Sequence, residues 1–196
     1  MENRSDDVDF ADFSAWSRGD KVAGNALYKR YFDRLWRFFT RRASQSAVEE
    51  LVQQTWLALS GSRDRLIERT QRGECEVRFC GYLFGTARNV LYTYYRSCRK
   101  LQGIDPMLVT LKDVRTSLSV KVSRQLRNES VQTAILSLPV ELQLMLDLRY
   151  TEGLTDREIA EAFEIPVGTL KSRLRKARKM LANELSGQGL TPETAL

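Results

Sequence analysis

The chain has 196 residues, 42% of them hydrophobic, which allows one large domain or two small ones with cores of their own. Its formal net charge of +6 and isoelectric point near 9.4 suit a polyanionic partner. It has no histidine, and its three cysteines form no CxxC pair, which argues against the usual zinc sites and against histidine-dependent catalysis. We therefore expect no metal, no cofactor and no enzyme active site.

The first residues, MENRSDDVDF, are acidic and do not resemble a signal peptide. No apolar run approaches the length of a membrane span, so we expect a cytoplasmic protein without membrane contact. Residues 1–8 are predicted to be a frayed lead-in. Phe13 and Trp16 then indicate a short first helix that Gly19 ends, and Asp20 caps a long second helix running to about Arg42.

The third predicted helix runs from Gln45 to Ser60, and Gly61 is predicted to end it. Residues 62–74 are polar and lose the helical period, which predicts a long loop, and long loops in compact domains are often functional. Arginines dominate this predicted loop: Arg63, Arg65, Arg69 and Arg72.

The fourth predicted helix covers about Val77 to Arg99, and its second half mixes tyrosines with basic residues. Aromatic rings stack on unpaired bases while cations follow the backbone, so this mixture is typical of single-stranded nucleic-acid binding. The alternative is that the tyrosines are core residues with hydroxyls at the surface. We favour the core for Tyr82 and leave both readings open for the cluster at residues 92–95.

Residues 101–126 contain Gly103 and Pro106 and keep no period, which predicts a linker. Helical patterns follow over residues 127–138 and 141–150. The tail after Leu185 is predicted to be disordered.

Residues 154–181 show a clear pattern of two amphipathic helices separated by a short break. Apolar residues at helical spacing form a short helix, whose N-terminus has Thr155 and Glu158 in a capping-box arrangement. The sequence Glu164-Ile165-Pro166 interrupts the pattern, and a second amphipathic helix follows. Two short helices with a tight turn between them predict a helix-turn-helix.

The second of these helices has no acidic residue between Ile165 and Leu181, and it is rich in lysine and arginine. A solvated basic face on an ordinary bundle helix is the simpler explanation. However, a face of one charge sign repels itself and gains nothing from ion pairing, whereas it is favoured opposite phosphate. We therefore interpret the segment as a DNA-reading element.

Taken together, these parts resemble the extracytoplasmic-function (group IV, sigma-70-like) sigma factors of bacterial RNA polymerase, over about residues 8–185. The most specific stretches are EELVQQTWLAL at 49–59, Ala87-Arg88-Asn89, and the segment 136–181. The resemblance implies an all-α fold of two small helical domains. Residues 8–100 would be sigma domain 2, residues 101–126 a flexible linker, and residues 127–185 sigma domain 4 with the helix-turn-helix.

The resemblance also implies partners: promoter DNA, and core polymerase through the clamp helices of its largest subunit and its flap. Domain 2 would open the minus-ten element, and the helix-turn-helix would read the minus-thirty-five element. Minus-ten contacts are expected from Arg63, Arg65, Arg88, Asn89, Tyr92, Tyr95 and Arg96. Minus-thirty-five contacts are expected from Thr169, Lys171, Ser172, Arg173, Arg175, Lys176, Arg178 and Lys179, of which Arg173, Arg178 and Lys179 would meet phosphate. Polymerase docking is expected from Glu49, Glu50, Leu51, Gln53 and Gln54.

One departure concerns the docking helix. Where such sigma factors have an acidic run, this chain has Ala47 and Gln54 in place of two carboxylates. The simpler interpretation is that Glu49 and Glu50 suffice for docking. The alternative hypothesis is that a Ser/Thr kinase restores the charge, since a phosphate adds about −1.5 to −2 at neutral pH. The candidate phosphosites are Ser44, Ser46 and Thr55.

A rival hypothesis is a conventional dimeric helix-turn-helix regulator that binds an operator without polymerase. It would require a dimerisation surface, which the arginine- and tyrosine-rich first half does not resemble. The resemblance leaves three alternatives for regulation: an anti-sigma factor, phosphorylation, or expression level.

Overall fold

The computed structural model describes residues 3–72, 78–97 and 134–187. The predicted linker at 101–126, the start of the predicted helix at 127–138, Cys75, Cys98 and most of the tail lie outside these residues. The helices are α1 (Asn3–Ser17), α2 (Lys21–Thr40), α3 (Val48–Gln71), α4 (Phe79–Ser97), α5 (Val140–Tyr150), α6 (Asp156–Ala162) and α7 (Val167–Gly187), with a short 3-10 turn at Gln45–Ala47 before α3.

The first four helices, hereafter the front helices α1–α4, surround a core of large apolar side chains. The predicted inward positions of α2 are buried, because residues three and four apart share one face of a helix. Asp20 caps α2 as predicted, since its carboxylate accepts hydrogen bonds from the backbone N–H groups of Val22 and Ala23. The largest buried side chains of this core include Phe13, Leu27, Leu35, Phe38, Phe39, Leu59, Phe79, Leu83, Phe84 and Leu91.

Two predictions about the front helices are wrong. Residues 3–8 belong to α1 rather than to a lead-in, and Asp9 is buried where it pairs with Arg30 and Tyr31. Gly61 does not end the third helix, which continues to Gln71 and leaves no loop at residues 62–71. The helix continues because Ile67 is buried eight residues after Leu59, and this burial outweighs the low helix propensity of a single exposed glycine.

The last three helices, hereafter the back helices α5–α7, form the predicted helix-turn-helix with α5 packed behind it. Leu142, Met145 and Leu148 of α5 are buried together with residues of α6 and α7. Across the described residues the secondary structure is helical, as the sequence predicted. None of the described helices has the combination of length and apolar character that crossing a membrane would need.

Candidate nucleic-acid interface

The helix-turn-helix is held at both ends of its first helix. At the start of α6, the hydroxyl of Thr155 accepts from the backbone N–H of Glu158, and the Glu158 carboxylate accepts from the N–H of Thr155 at 2.7 Å. The predicted capping box is therefore confirmed. At the end of α6, the N–H of Ile165 donates to the carbonyl of Ala160 and that of Glu164 to Glu161, which closes the turn as a Schellman motif.

This turn places Glu164 in the left-handed region, at φ 54°. Glycine is the residue that adopts this conformation without a steric penalty. Replacing Glu164 with glycine is therefore expected to stabilise the chain by about 0.5–1 kcal/mol, after allowing for the greater entropy of glycine in the unfolded state. Thermal denaturation would show this as a rise in Tm.

Gly153, at φ 70°, provides the matched control for this prediction. Its replacement with alanine should lower the Tm, because alanine is strained in the same region. A fall in Tm for Glu164→Gly would show that the left-handed conformation of Glu164 carries no such penalty.

α7 has one buried face and one exposed, basic face. Leu170, Leu174 and Ala177 are buried against the rest of the back helices. Thr169 is half-buried, and its carbonyl accepts from the hydroxyl of Ser172. The remaining predicted reading residues lie exposed on the other side: Lys171, Ser172, Arg175, Lys176, Arg178 and Lys179.

Arg173 does not belong to this exposed basic face. Its guanidinium donates to the carboxylate of Glu141 on α5 at 2.7 Å, and both side chains are partly buried. The structure thus gives Arg173 a contact that joins α7 to α5, while its predicted phosphate contact stays a prediction. Glu141 is the acidic residue that pairs with Arg173, but only the packing of α5 against α7 shows that the two side chains meet.

On α4, three of the predicted minus-ten residues lie together. The Arg88 guanidinium donates to the side-chain oxygen of Asn89 and stacks over the ring of Tyr92, 5.7 Å from its centroid. Asn89 is exposed, whereas Arg88 and Tyr92 are half-buried. Arg96 is exposed one turn further along, with its Nε near the carbonyl of Tyr92.

Tyr95 is a core residue, which decides one of the two readings left open for the tyrosine cluster. It is almost completely buried, and its hydroxyl donates to the carbonyl of Arg42 at 3.0 Å. The predicted contact between Tyr95 and DNA is therefore wrong for this fold. Tyr94, in the last turn of α4, places its hydroxyl 3.2 Å from that of Ser44.

Arg63 and Arg65 lie away from this group, in the second half of α3. The hydroxyl of Tyr82, near the start of α4, donates to Ser62 in the second half of α3, whereas that of Tyr94, near the end of α4, lies beside Ser44, just before α3. The two helices therefore run antiparallel. Arg63 pairs with Asp64 and stacks over Trp16, whereas Arg65 is exposed. The predicted minus-ten residues therefore do not form a single cluster. Arg63 and Arg65 on α3 lie beside the start of α4, whereas the others lie in the second half of α4.

The predicted docking surface lies at the start of α3. Glu49 and Glu50 are exposed in its first turn, and the amides of Gln53 and Gln54 donate to their carboxylates one turn later. Leu51 is buried in the core of the front helices, so its predicted contact with the polymerase is wrong for this fold.

Leu57, which the sequence reasoning missed, extends this surface. It is 71% exposed and lies one turn beyond Gln53 and Gln54 on the same helix. An apolar residue outside the buried face of an amphipathic helix is the signal that could have identified it.

The three candidate phosphosites differ in accessibility. Ser46 is exposed, and Ser44 is half-buried beside it, with their hydroxyl oxygens 3.2 Å apart. Thr55 is 0% exposed and its hydroxyl donates to the carbonyl of Leu51, so a kinase cannot reach it in this fold. Thr55 is therefore corrected to a structural residue.

A set of charged residues that the sequence reasoning did not single out joins α2 to the back helices. The guanidinium of Arg34 binds the carboxylate and the carbonyl of Glu152, at 2.9 and 2.8 Å. Arg41 and Arg42 both bind the carboxylate of Asp147, at 2.6 and 2.7 Å. Burial alone would raise the pKa of Asp147, but these two guanidinium groups bring it below its ordinary value.

The chain is similar to known sigma factors in sequence and in fold. Residues 128–181 match the model of the family described as sigma-70, region 4, which covers the helix-turn-helix. The ECF RNA polymerase sigma-E factor of Haemophilus influenzae is 29% identical over 178 residues, covering 86% of this chain and 90% of that protein. The protein of the same name from Escherichia coli strain K12 is 27% identical, with coverage of 86% and 89%.

Two solved structures share the fold. CnrH, in complex with the cytosolic domain of CnrY, superposes with a TM-score of 0.62 at 17% identity, over 92% of this chain and 98% of that one. The sigma factor RpoE of Bartonella quintana, in complex with the anti-sigma factor NepR, superposes with a TM-score of 0.54 at 20% identity, over 82% and 97%. With its capped helix-turn-helix, the chain is therefore similar to the ECF RNA polymerase sigma factors over most of its length, and it matches the sigma-70 region 4 family over residues 128–181.

Proposed function

We propose that the chain binds core RNA polymerase and directs initiation at promoters, whose minus-ten and minus-thirty-five elements it recognises. The observation that carries this proposal is the exposed face of α7, which is basic from Lys171 to Lys179 and belongs to a helix-turn-helix whose first helix is capped at both ends. Arginine and lysine there can address guanine O6 and N7 in the major groove, while the outer cations meet phosphate. This surface reads the minus-thirty-five element.

Docking on the polymerase is assigned to the start of α3. Glu49 and Glu50 form an exposed acidic turn, and the glutamines after them can hydrogen-bond without adding charge. The clamp helices of the largest subunit are the proposed partner of this surface, with Leu57 adding an apolar contact. Interfaces commonly combine an apolar anchor with surrounding polar contacts, which supports including Leu57.

Opening of the minus-ten element is assigned to α4. Arg88 and Asn89 lie side by side, and the ring of Tyr92 is next to Arg88, so that one unpaired base could be held by hydrogen bonds and stacking. Arg96 and Arg65, both exposed, are suited to phosphate. Tyr95 is not part of this set because it is buried.

Regulation by phosphorylation remains part of the proposal in a narrower form, with Ser46 as the site. A phosphate there would stand in the turn before α3, next to Glu49, where the helix N-terminus favours negative charge. It would supply the negative charge that Ala47 and Gln54 leave out. We also propose control by an anti-sigma protein, since the Bartonella quintana sigma factor was solved in complex with one.

Run-off transcription with purified core polymerase on genomic promoter fragments tests the proposal. We expect promoter-specific transcripts that require both the chain and the polymerase. Absence of any transcript, including with Ser46→Asp, would overturn the proposed function. Tight binding of the chain alone to a palindromic duplex would instead favour the dimeric regulator.

A further inference from the structure

The side of α7 that faces α5 carries an arginine whose guanidinium is bound on one edge only. Arg173 donates from Nη1 to the Glu141 carboxylate at 2.7 Å, and its side chain is still 28% exposed. Within the part of the chain that the structure describes, Nε and Nη2 of Arg173 bind no other group, and neither is cut off from solvent. Because a guanidinium has five N–H donors in a planar fork, most of its hydrogen-bonding capacity remains for a ligand.

Arg173 lies at the border between the buried and the exposed faces of α7. The helical repeat rotates it by about 60° from Leu170, which is fully buried, and the exposed Lys176 follows three residues later. A helix with its side chains is roughly 10–12 Å wide and the major groove about 12 Å, so a helix in the groove nearly fills it. Side chains at the centre of the exposed face therefore reach base edges, whereas those at its borders meet the phosphates beside the groove.

Glu141 is an acidic residue on the side of the back helices that would face DNA. It lies in the first turn of α5, and its side chain is 14% exposed, at the same border as Arg173. As a free anion it would repel phosphate. Paired with Arg173, it instead restrains a long side chain before DNA is bound, so that less rotamer entropy is lost on binding.

The ion pair is not the contact that holds α5 against α7. Leu142 and Met145 of α5 are fully buried together with Leu170 and Leu174 of α7, in an apolar core beneath the pair. Ion pairs that remain partly exposed add little stability to such a core. The main effect of the pair is therefore on the direction of the Arg173 side chain.

We propose that Glu141 is a positioning residue for DNA binding, which directs the unbound N–H groups of Arg173 toward a phosphate beside the minus-thirty-five element. Glu141 acts through Arg173 and does not contact DNA itself. A carboxylate and a phosphate can bind one guanidinium together, because its two edges each present a pair of parallel N–H donors. The inference rests on the part of the proposed function that assigns α7 to duplex DNA.

The test measures binding of the full chain to a short fluorescein-labelled duplex of random sequence, by fluorescence anisotropy over a range of KCl concentrations. The basic face of α7 is exposed in the chain itself, so the measurement needs no polymerase. Arg173→Ala should weaken binding on the order of tenfold, the effect of losing a hydrogen bond to a charged group. The slope of the logarithm of the binding constant against that of the salt concentration should become shallower by about 0.9, as expected for one phosphate contact.

The direction of the change in Glu141→Ala is decisive. Removal of a negative charge near DNA should tighten binding if electrostatics alone acts, and Glu184→Ala, at an exposed glutamate of α7, is the matched control for that effect. A positioning role predicts instead that Glu141→Ala weakens binding about two- to tenfold relative to this control. In a chain that already carries Arg173→Ala, Glu141→Ala should cause no weakening, because the residue through which it acts is gone.

Glu141→Gln distinguishes the direction of Arg173 from the charge of its partner. The side-chain oxygen of glutamine accepts the same N–H group at the same reach, so this variant should bind the duplex at least as tightly as the unsubstituted chain. A residue that only stabilised the fold would instead change the Tm of the Glu141 variants and leave the salt dependence of DNA binding as it is.

Tighter or unchanged binding by Glu141→Ala would overturn the positioning role, as would weakening of equal size with and without Arg173. A salt dependence that Arg173→Ala leaves unchanged would also overturn it, since Arg173 would then meet no phosphate, and so would failure of the unsubstituted chain to bind the duplex at low salt. Run-off transcription separates these outcomes from failure of the proposed function. If the pattern of duplex binding holds but no transcript is made, the positioning role stands and the proposed function fails.

Discussion

Replacing Arg175 with alanine is expected to lower initiation on the order of ten- to a hundredfold at promoters that carry the base it contacts. Arg175 is exposed on α7, opposite the buried Leu170 and Leu174. A guanidinium that binds guanine O6 and N7 together contributes about 1–3 kcal/mol of discrimination. The measurement is run-off transcription on a set of templates in which each minus-thirty-five base is changed in turn.

The variant should lose its preference at one base position only. Arg178→Ala is the matched comparison, because Arg178 is exposed on the same helix but is assigned to phosphate. It should weaken all templates alike and reduce the salt dependence of binding by about one counterion. If Arg175→Ala instead weakened every template equally, Arg175 would be a phosphate contact and the assignment would be wrong.

Reversing both docking charges, as Glu49→Lys/Glu50→Lys, is expected to weaken binding to core polymerase on the order of a hundredfold. Both residues are exposed in the first turn of α3 and are the carboxylates remaining on that turn. Disrupting charge pairs at an interface commonly costs about 2–5 kcal/mol when they become buried on binding. Competition binding with labelled wild-type chain gives the affinity, and Asp33→Lys/Glu184→Lys is the control of equal charge.

The same assay decides the phosphorylation hypothesis, because it compares the unmodified chain with Ser46→Asp. If a phosphate restores missing charge, Ser46→Asp should bind more tightly than the unmodified chain. Thr55→Glu should not mimic it, because this residue is buried and a carboxylate there would disturb the core. Tight binding by the unmodified chain, unimproved by Ser46→Asp, would leave Glu49 and Glu50 sufficient for docking.

Local signals in the sequence predicted the helix ends that local chemistry controls. Asp20 and Thr155 cap their helices as predicted, because an N-cap hydrogen bond joins residues two or three apart in the chain. The prediction at Gly61 failed for the opposite reason. Whether one glycine ends a helix depends on whether the residues after it are buried, and here the burial of Ile67 continues α3 across Gly61.

Errors among the predicted site residues share one cause, which is the rotation of a helix about its axis. Leu51 and Thr55 lie four residues apart and face the core together, so neither can take part in a surface contact. Tyr95 turns inward in the same way, toward the carbonyl of Arg42. A motif identifies the helix, but each side chain is buried or exposed according to the elements that pack against the helix.

The sequence by itself determined the helical class, the helix-turn-helix and the one-signed face of α7, because periodicity, capping and charge are properties of neighbouring residues. Only the tertiary structure decided which charged residues pair with one another. Arg173 pairs with Glu141, and Arg41 and Arg42 pair with Asp147, across separations that no local pattern encodes. It also decided that Gly81 and Gly85 bring α4 against α6, since a close approach needs both helices in place.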